Sequence, residues 1–231
     1  MSTPLLVFDD VVCGYGDTMM LRGLAGAVGT GRVLAVLGRN GVGKTTLMRA
    51  LSGFLPLQRG RVMLAGRDLA RVPPQQRLAA GMAYAPQEGV VFGDLSVREN
   101  LWLHLRSRDG QRYGACLEAF PRLAERMQQS AGLLSGGERK LLSFTRTLGL
   151  RAPLSILDEP TEGVQPENIE RMARLVRARK AEGASFVIVE QNLEFLLSVA
   201  DDVLAIDHGE CSLAGPASEL TRETLEAHLV V

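Results

Sequence analysis

Short apolar runs, separated by turns that contain glycine or proline, give the first expectation for the fold. A continuous apolar run predicts a strand buried on both faces, because a strand with one face in water alternates apolar and polar residues. Residues 33–37 are such a run. Strands are predicted at residues 5–8, 33–37, 82–85, 154–157, 186–189 and 203–206, and an edge strand with a turn at residues 60–66.

Capping residues and helical spacing indicate where helices begin and end. Ser96 and Glu99 form a capping box, in which each side chain satisfies a backbone amide of the first helical turn. Pro166 suits the first position of a helix, and Gly183 suits its end. Helices are predicted at residues 43–53, from residue 96 onward, and at residues 111–129, 166–183 and 216–229.

The elements follow the order sheet, helices, sheet, which predicts a single α/β domain over residues 1–231. The length of 231 residues suits one such domain with a small insertion. We expect a core from about residues 1–87 and 151–231, and an inserted α-helical subdomain from about residues 88–150.

Composition narrows the classes of function. Apolar residues make up 46% of the chain, and 26 basic residues balance 26 acidic ones, so there is no basic excess of the kind that nucleic-acid binding requires. We therefore expect no nucleic-acid partner. The three cysteines are scattered, without the spacing of a zinc site or a disulfide framework. No secretory signal and no run of about 18 apolar residues is visible, so we expect any membrane role to come through a partner.

Residues 38–46 have the spacing of a phosphate-binding loop, between a predicted strand and a predicted helix. Its glycines let backbone amides turn toward phosphate oxygens, and the helix N-terminus adds partial positive charge. We expect Lys44 to reach the β- and γ-phosphates, Thr45 to offer its hydroxyl to Mg²⁺, and Thr46 to contact the α-phosphate. The predicted ATP-binding residues of this loop are Gly38, Asn40, Gly41, Val42, Gly43, Lys44, Thr45 and Thr46.

Two acidic residues follow the predicted strand at 154–157. Ligands of open α/β sheets bind at the carboxyl ends of strands, where Asp158 and Glu159 are expected. Phosphoryl transfer needs a carboxylate for the metal and a group that orients the attacking water. We therefore predict Asp158 as a Mg²⁺ ligand, through water, and Glu159 as the catalytic residue.

Ser135, Gly136, Gly137 and Glu138 have the spacing of a second capping box. Two glycines in the first turn of a helix weaken it, at up to about 1 kcal/mol each relative to alanine. They also let a ligand approach the free amides closely, and phosphate suits that position best. The segment is therefore predicted to serve both as a cap and as an anion site.

Residues 134–138, shortly before Asp158 and Glu159, resemble the signature sequence of ATP-binding cassette (ABC) ATPases. The family more often has Gln where this chain has Glu138. The resemblance covers about residues 5–215 and implies a P-loop core with a mixed sheet and an antiparallel edge sheet, using ATP and Mg²⁺. It also implies that Tyr15 stacks on adenine, and that Gln87 contacts Mg²⁺ and relays to a membrane subunit.

The same resemblance implies partners. Two ATPase subunits, either identical or related cassettes, would pack head to tail, with residues 135–138 of one facing the γ-phosphate bound by Lys44 of the other. They would associate with two transmembrane permease subunits at the cytoplasmic face of the inner membrane, and a periplasmic solute-binding protein would act indirectly. A small-molecule kinase would leave residues 135–138 unexplained.

One departure from the family pattern narrows the kind of transporter that we expect. Gln191 stands where the family has a switch histidine, so the resemblance implies that it is a catalytic residue beside Glu159. Its amide can donate to the γ-phosphate but cannot carry a proton to or from it. Residues 189–192 and 120–123 resemble ATP-binding subunits of branched-chain amino acid importers, and residues 162–166 are closer to the urea branch. We expect an importer of urea or short-chain amides, or of branched-chain amino acids. A lipopolysaccharide exporter and an iron–sulfur assembly ATPase remain alternatives.

Overall fold

The computed structural model describes residues 4–105 and 110–229, and its strands form two sheets. In chain order the strands are β1 (Leu6–Tyr15), β2 (Thr18–Val28), β3 (Val33–Leu37), β4 (Arg59–Leu64), β5 (Arg67–Asp68), β6 (Met82–Ala85), β7 (Leu154–Asp158), β8 (Ser185–Val189), β9 (Asp202–Asp207) and β10 (Glu210–Pro216). An antiparallel sheet has the order β2-β1-β4-β5. A mixed sheet has the order β10-β9-β3-β8-β7-β6, in which only the β9–β10 pair is antiparallel.

The helices lie between these strands in the sequence, except the last, which follows β10. They are α1 (Lys44–Leu51), α2 (Pro74–Arg77), α3 (Val97–Trp102), α4 (Gly114–Ala119), α5 (Pro121–Glu125), α6 (Gly136–Gly149), α7 (Pro166–Ala181), α8 (Leu193–Val199) and α9 (Arg222–Glu226). Short 3-10 turns occupy Gly110–Tyr113, Ala131–Leu133 and Ala217–Glu219. Within the described ranges, none of these helices has the length and apolar character needed to cross a membrane.

The mixed sheet lies between two apolar cores, which explains the continuous apolar runs. In β3, Val33, Ala35 and Leu37 pack into the core formed with α3–α8. The alternate residues Leu34 and Val36 pack into the core formed with α1 and the antiparallel sheet. Because successive side chains of a strand point to opposite faces, a strand covered on both sides is expected to be apolar at nearly every position.

The predicted architecture of a mixed sheet with a separate antiparallel sheet is confirmed. The strands at 33–37 and 82–85 agree with the prediction residue for residue, and the others predicted begin or end within a few residues of it, except that β1 runs on to Tyr15. Both capping boxes form as predicted. Strands β2, β5 and β10 were not predicted. The strand predicted as an edge at residues 60–66 is instead the inner strand β4, because the two-residue β5 pairs along its outer side.

The helix predicted over residues 111–129 is wrong in its continuity. Helix α4 ends at Ala119, and α5 starts at Pro121. Proline has no amide to donate and disfavours helical backbone in the residue before it. Phe120 accordingly has φ −122° and ψ 72°, outside the helical region, and the chain turns there.

The helix predicted over residues 216–229 is also wrong. Pro216 is the last residue of β10, which forms a hairpin with β9, and α9 covers only Arg222–Glu226. The hairpin turns at His208 and Gly209, which both have positive φ, as tight two-residue hairpin turns require.

Helices α3–α6 lie between β6 and β7 in the sequence and contain the described part of the predicted helical subdomain. Asn100, fully buried on α3, anchors the loop that precedes the helix. Its Oδ1 accepts from the Phe92 amide at 2.9 Å, and its Nδ2 donates to the carbonyls of Phe92 and Ser96 at 3.0 Å. The boundaries of about 88 and 150 for that subdomain stay a prediction.

Arg77 at the end of α2 joins α1 to the segment that leads into α2. Its buried guanidinium donates at 2.8 Å to the carbonyl oxygens of Leu51, Leu69 and Val72. We predict that Arg77→Met lowers the free energy of unfolding by about 3 kcal/mol, because buried acceptors lose their donors. Urea denaturation measures the change.

Arg59→Met is the matched control for that measurement. Arg59 forms an ion pair with Asp10 in which both side chains are largely exposed, and such a pair contributes little to the free energy of unfolding. Equal losses in the two variants would contradict the role given to Arg77.

Candidate functional site

The loop between β3 and α1 has the geometry of a phosphate-binding loop. Gly43, which precedes α1, has φ 114°, a conformation that residues with a Cβ rarely adopt. The Gly43 carbonyl accepts from the Leu47 amide at 2.9 Å, so the helix begins directly after the loop. The free amides of the first turn of α1 therefore point toward the loop, as an anion site requires.

Lys44 places its ammonium group inside this loop. Its side chain is buried, and Nζ donates to the carbonyl oxygens of Gly38 at 2.7 Å and Arg39 at 2.8 Å. Burial lowers the pKa of Lys44, while the charges of Glu159 and Asp158 raise it. The loop thus holds a cation close to two carboxylates, where a nucleotide phosphate would be attracted.

The parallel register of the mixed sheet brings the predicted residues together. Ala85 pairs with Leu157, and Asp158 pairs with Val189, so β6, β7 and β8 end at the same edge. The residues that follow these three strands include Gln87, Glu159 and Gln191. Neighbouring carboxyl ends of parallel strands are where such sheets bind ligands.

Asp158 is buried at this edge, with 1% of its surface exposed. The Tyr84 hydroxyl donates to Oδ2 at 3.4 Å, while Oδ1 has no hydrogen-bond partner in the described part of the chain. Burial, followed by the charge of Glu159, raises the pKa of Asp158 to about 6, although Tyr84, Thr45 and Lys140 act to lower it. A buried carboxylate with an unpaired oxygen favours a bound cation.

Glu159 is held between two amide side chains. Gln87 Nε2 donates to Oε2 at 2.6 Å, and Gln191 Nε2 donates to Oε1 at 3.0 Å. Glu159 itself has φ 47°, in the left-handed region, and is nearly buried. Both carboxylate oxygens therefore have neutral donors, and the side chain keeps one fixed orientation.

Gln191 also connects this edge of the sheet to the phosphate-binding loop, since its Nε2 lies 3.0 Å from Asn40 Oδ1. The loop that carries Gln191 is fixed by the preceding residue, Glu190, which is buried. Glu190 accepts from the Thr161 amide at 2.7 Å and from the Gln191 amide at 2.9 Å. The buried carboxylate therefore ties the segment after Glu159 to the loop after β8.

The predicted signature segment forms the first turn of α6. Ser135 Oγ accepts from the Glu138 amide at 3.2 Å, and the Ser135 amide donates to Glu138 Oε2 at 2.9 Å. Burial raises the pKa of Glu138, but the bonds from Ser135 and the nearby charge of Arg126 leave it lowered overall. The carboxylate of Glu138 is therefore committed to the cap and to Arg126.

Different features of the structure explain why each of the two positions in this turn is a glycine. A Cβ at Gly136 would meet no heavy atom within 4 Å, so this residue faces open space, as a ligand-facing position should. A Cβ at Gly137 would lie 2.4 Å from the carbonyl oxygen of Gly163. Gly137 is thus required by close packing on the segment after Glu159, a reason that the sequence did not indicate.

Tyr15 lies at the end of β1 with 44% of its surface exposed. Its hydroxyl accepts from Arg49 Nη1 at 3.2 Å, which fixes the ring beside α1. Stacking of Tyr15 on adenine stays a prediction.

Predicted ligands for Mg²⁺ fit this edge of the sheet. Asp158 supplies an unpaired buried oxygen, and Thr45, at the start of α1, is close enough to lower the pKa of Asp158. Oxygen ligands of this kind suit Mg²⁺, which keeps several waters and binds substrate phosphates. Gln87, the third predicted ligand, instead donates to Glu159 in this structure, and its contact with metal stays a prediction.

Four further residues belong to the site but were missed in the sequence: Arg49, Tyr84, Lys140 and Glu190. Tyr84 is the second-last residue of a predicted strand, so its position at this edge of the sheet could have been inferred. Lys140 could not have been found, because it reaches the site from α6 only after the helices pack on the sheet.

Comparison with known proteins agrees with this geometry. The family profile described as ABC transporter matches residues 21–162, more than half of the chain. The match includes the phosphate-binding loop, residues 135–138, Asp158 and Glu159.

Relatives match over nearly the whole chain. It is 34% identical to the probable branched-chain amino acid transport ATP-binding protein LivF of Archaeoglobus fulgidus, over 90% of each protein. It is 33% identical to the high-affinity branched-chain amino acid transport ATP-binding protein BraG of Pseudomonas aeruginosa, over 89% of this chain and 90% of that protein. Identity is 28% with the lipopolysaccharide export system ATP-binding protein LptB of Acidithiobacillus ferridurans, over 96% and 94%.

A solved structure shows the same fold. The chain superposes on the crystal structure of a nucleotide-free ATP-binding cassette from an ABC transporter with a TM-score of 0.83 and 25% identity, covering 98% of this chain and 95% of that one. The chain therefore belongs to the ABC transporter family, in which it is an ATP-hydrolysing subunit of a transporter.

Proposed function

We propose that this subunit hydrolyses ATP as one half of a pair, with each nucleotide held between Lys44 of one subunit and residues 135–137 of the other. The observation that carries this proposal is the placement of Glu159, whose carboxylate is oriented by Gln87 and Gln191 beside the phosphate-binding loop. In this role Glu159 orients and polarises the water that attacks the γ-phosphorus, while the bond to the ADP oxygen breaks.

The other site residues have distinct roles in the proposal. Lys44 and the amides of α1 bind the β- and γ-phosphates, and Gln191 donates its amide to the γ-phosphate. Asp158 and Thr45 hold Mg²⁺, which when bound neutralises phosphate charge. Tyr15 stacks on the adenine ring.

Pairing is supported by the exposed side of the signature turn. Gly136 faces open space, and the Ser135 side chain is exposed at the N-terminus of a 14-residue helix. A second subunit whose bound ATP presents its γ-phosphate to this turn would complete an anion site built from free amides. Either a second copy or a related cassette could fill this position.

Association with membrane subunits is supported by a cavity of about 800 Å³ that opens beside Gln87. Its wall includes Gln87 and Phe54, which is 62% exposed, and, on the side of the proposed nucleotide site, Tyr15 and Thr45. A permease segment docked at the Phe54 side would touch the residue that orients Glu159. In the proposal the subunit lies at the cytoplasmic face of the inner membrane, with two permease subunits and, indirectly, a periplasmic solute-binding protein.

The proposed task is solute uptake, with branched-chain amino acids as the first candidate. The LivF and BraG relatives, at 34% and 33% identity, support it more strongly than the LptB relative at 28% supports lipopolysaccharide export. Residues 162–166 favour urea or short-chain amides as the second candidate.

We predict that Asp158→Asn raises the stability of the nucleotide-free protein at pH 7.5, by up to about 2 kcal/mol. The pKa of Asp158 is about 6, above that of an unfolded aspartate, so the protein loses stability as the pH rises from about 4 to about 6, and the full cost of ionisation is present at pH 7.5. Thermal melts without nucleotide measure the gain, and Mg²⁺ with ATP should stabilise wild type more than the variant. A lower melting temperature of the nucleotide-free variant would contradict the prediction.

We predict that Glu159→Gln retains ATP binding, slows hydrolysis by at least about 100-fold, and accumulates as a dimer with ATP. The dimer persists because the γ-phosphate that joins the two subunits is no longer removed. Size-exclusion chromatography with light scattering measures the mass. Adding Ser135→Ala should weaken that dimer, and a Glu159→Gln protein that stays monomeric at saturating ATP would count against pairing.

Uptake is tested in a strain that lacks the gene for this chain, complemented with wild type or with Glu159→Gln. We expect uptake of radiolabelled leucine to return with wild type only. Return of urea or acetamide uptake without leucine uptake would favour the second candidate. No change in the uptake of any of these solutes would contradict the proposed import.

A further inference from the structure

We propose that Lys140 is a positioning residue for ATP hydrolysis, which holds the backbone of Glu159 so that its carboxylate stays between Gln87 and Gln191. The proposal rests on the role given to Glu159 above. Lys140 lies on α6, two residues after Glu138, and is not itself expected to touch the nucleotide.

The ammonium group of Lys140 meets three acceptors. Nζ lies 2.9 Å from the carbonyl oxygen of Glu159, 3.0 Å from that of Gln87, and 3.3 Å from Glu162 Oε2. An ammonium group has three hydrogens to donate, so these contacts use its full capacity. Only 11% of the Lys140 side chain is exposed, which keeps water from replacing it.

The backbone of Glu159 needs such support. Its φ of 47° is in the left-handed region, which is strained for a residue with a Cβ and persists only when neighbouring groups enforce it. On one side the Glu159 amide donates to the Val189 carbonyl at 2.9 Å. On the other side, the Glu159 carbonyl accepts from Lys140. The two bonds hold the residue from both ends.

Lys140 also acts on the partner of Glu159. It binds the Gln87 carbonyl, and the Gln87 side chain donates to Glu159 Oε2 at 2.6 Å. One ammonium group therefore fixes the backbone of the carboxylate and of the amide that orients it.

The alternative to a positioning role is that Lys140 serves only as the ion-pair partner of Glu162. The Glu162 side chain is 60% exposed, and its contact is the longest of the three. An ion pair of that kind contributes little to stability. The two shorter contacts, in contrast, are with the backbone carbonyls of Gln87 and Glu159, which belong to the proposed site. The geometry therefore favours positioning over general stabilisation.

Lys140→Met tests the inference in the full-length protein. It keeps the aliphatic stem and removes the donors, so we expect kcat for ATP hydrolysis to fall about tenfold or more, because the carboxylate loses its fixed position. The KM for ATP should stay within about twofold, since the phosphate-binding loop is untouched. Lys140→Arg keeps a cation with several donors and should recover at least half of the wild-type kcat.

Lys180→Met is the matched control. Lys180 is also partly buried and pairs with Asp201 at 2.7 Å. This pair lies at the opposite end of the sheet from Glu159. We expect it to lower the melting temperature without changing kcat. Should Lys140→Met fail to fold, Lys140→Ala, which leaves room for water beside the three acceptors, takes its place.

Several results would overturn the inference. They are a wild-type kcat in both Lys140→Met and Lys140→Ala, an equal fall in kcat for Lys180→Met, or a failure of Lys140→Arg to recover more activity than Lys140→Met. Glu159→Gln is measured in parallel. If it hydrolyses ATP at the wild-type rate, the proposed function fails; if it is inactive while Lys140→Met is unchanged, only the role of Lys140 fails.

Discussion

Burial of the mixed sheet on both faces is the constraint on which the rest of the structure depends. Strands β3, β7 and β8 have apolar cores on either side, so their faces offer no place for charged chemistry. Charged groups lie where the strands end, and the parallel register puts those ends side by side. The phosphate-binding loop, Asp158 and Glu159 all lie at the carboxyl ends of these strands, where they can meet one ligand.

Neutral amide side chains hold both oxygens of the Glu159 carboxylate. Gln87 and Gln191 occupy its two oxygens, and Gln191 also reaches Asn40 on the phosphate-binding loop. Amides orient a carboxylate without transferring a proton to it, so the group remains available to water. The side chain of Gln191 thereby links the phosphate-binding loop to Glu159.

The sequence allowed prediction of whatever depends on local pattern. Apolar runs located the strands that end at the site, and the glycine-rich loop and both capping boxes have the structure that their spacing predicted. Prediction failed where contacts between distant segments decide the outcome. Gly137 is explained by packing on Gly163, and Lys140 reaches the site from another helix. Two errors had local causes instead: Pro121 interrupts the helix expected at 111–129, and the β9–β10 hairpin replaces the start of the helix expected at 216–229.

The close contact between Gly137 and Gly163 has a wider consequence. It joins, backbone against backbone, the turn offered to a neighbouring subunit and the segment that follows the subunit's own Glu159. With no side chain between them to deform, a displacement of one is passed to the other. In a symmetric pair, information about the state of one nucleotide would then reach the second through rigid contact, and by reciprocity the second would influence the first equally.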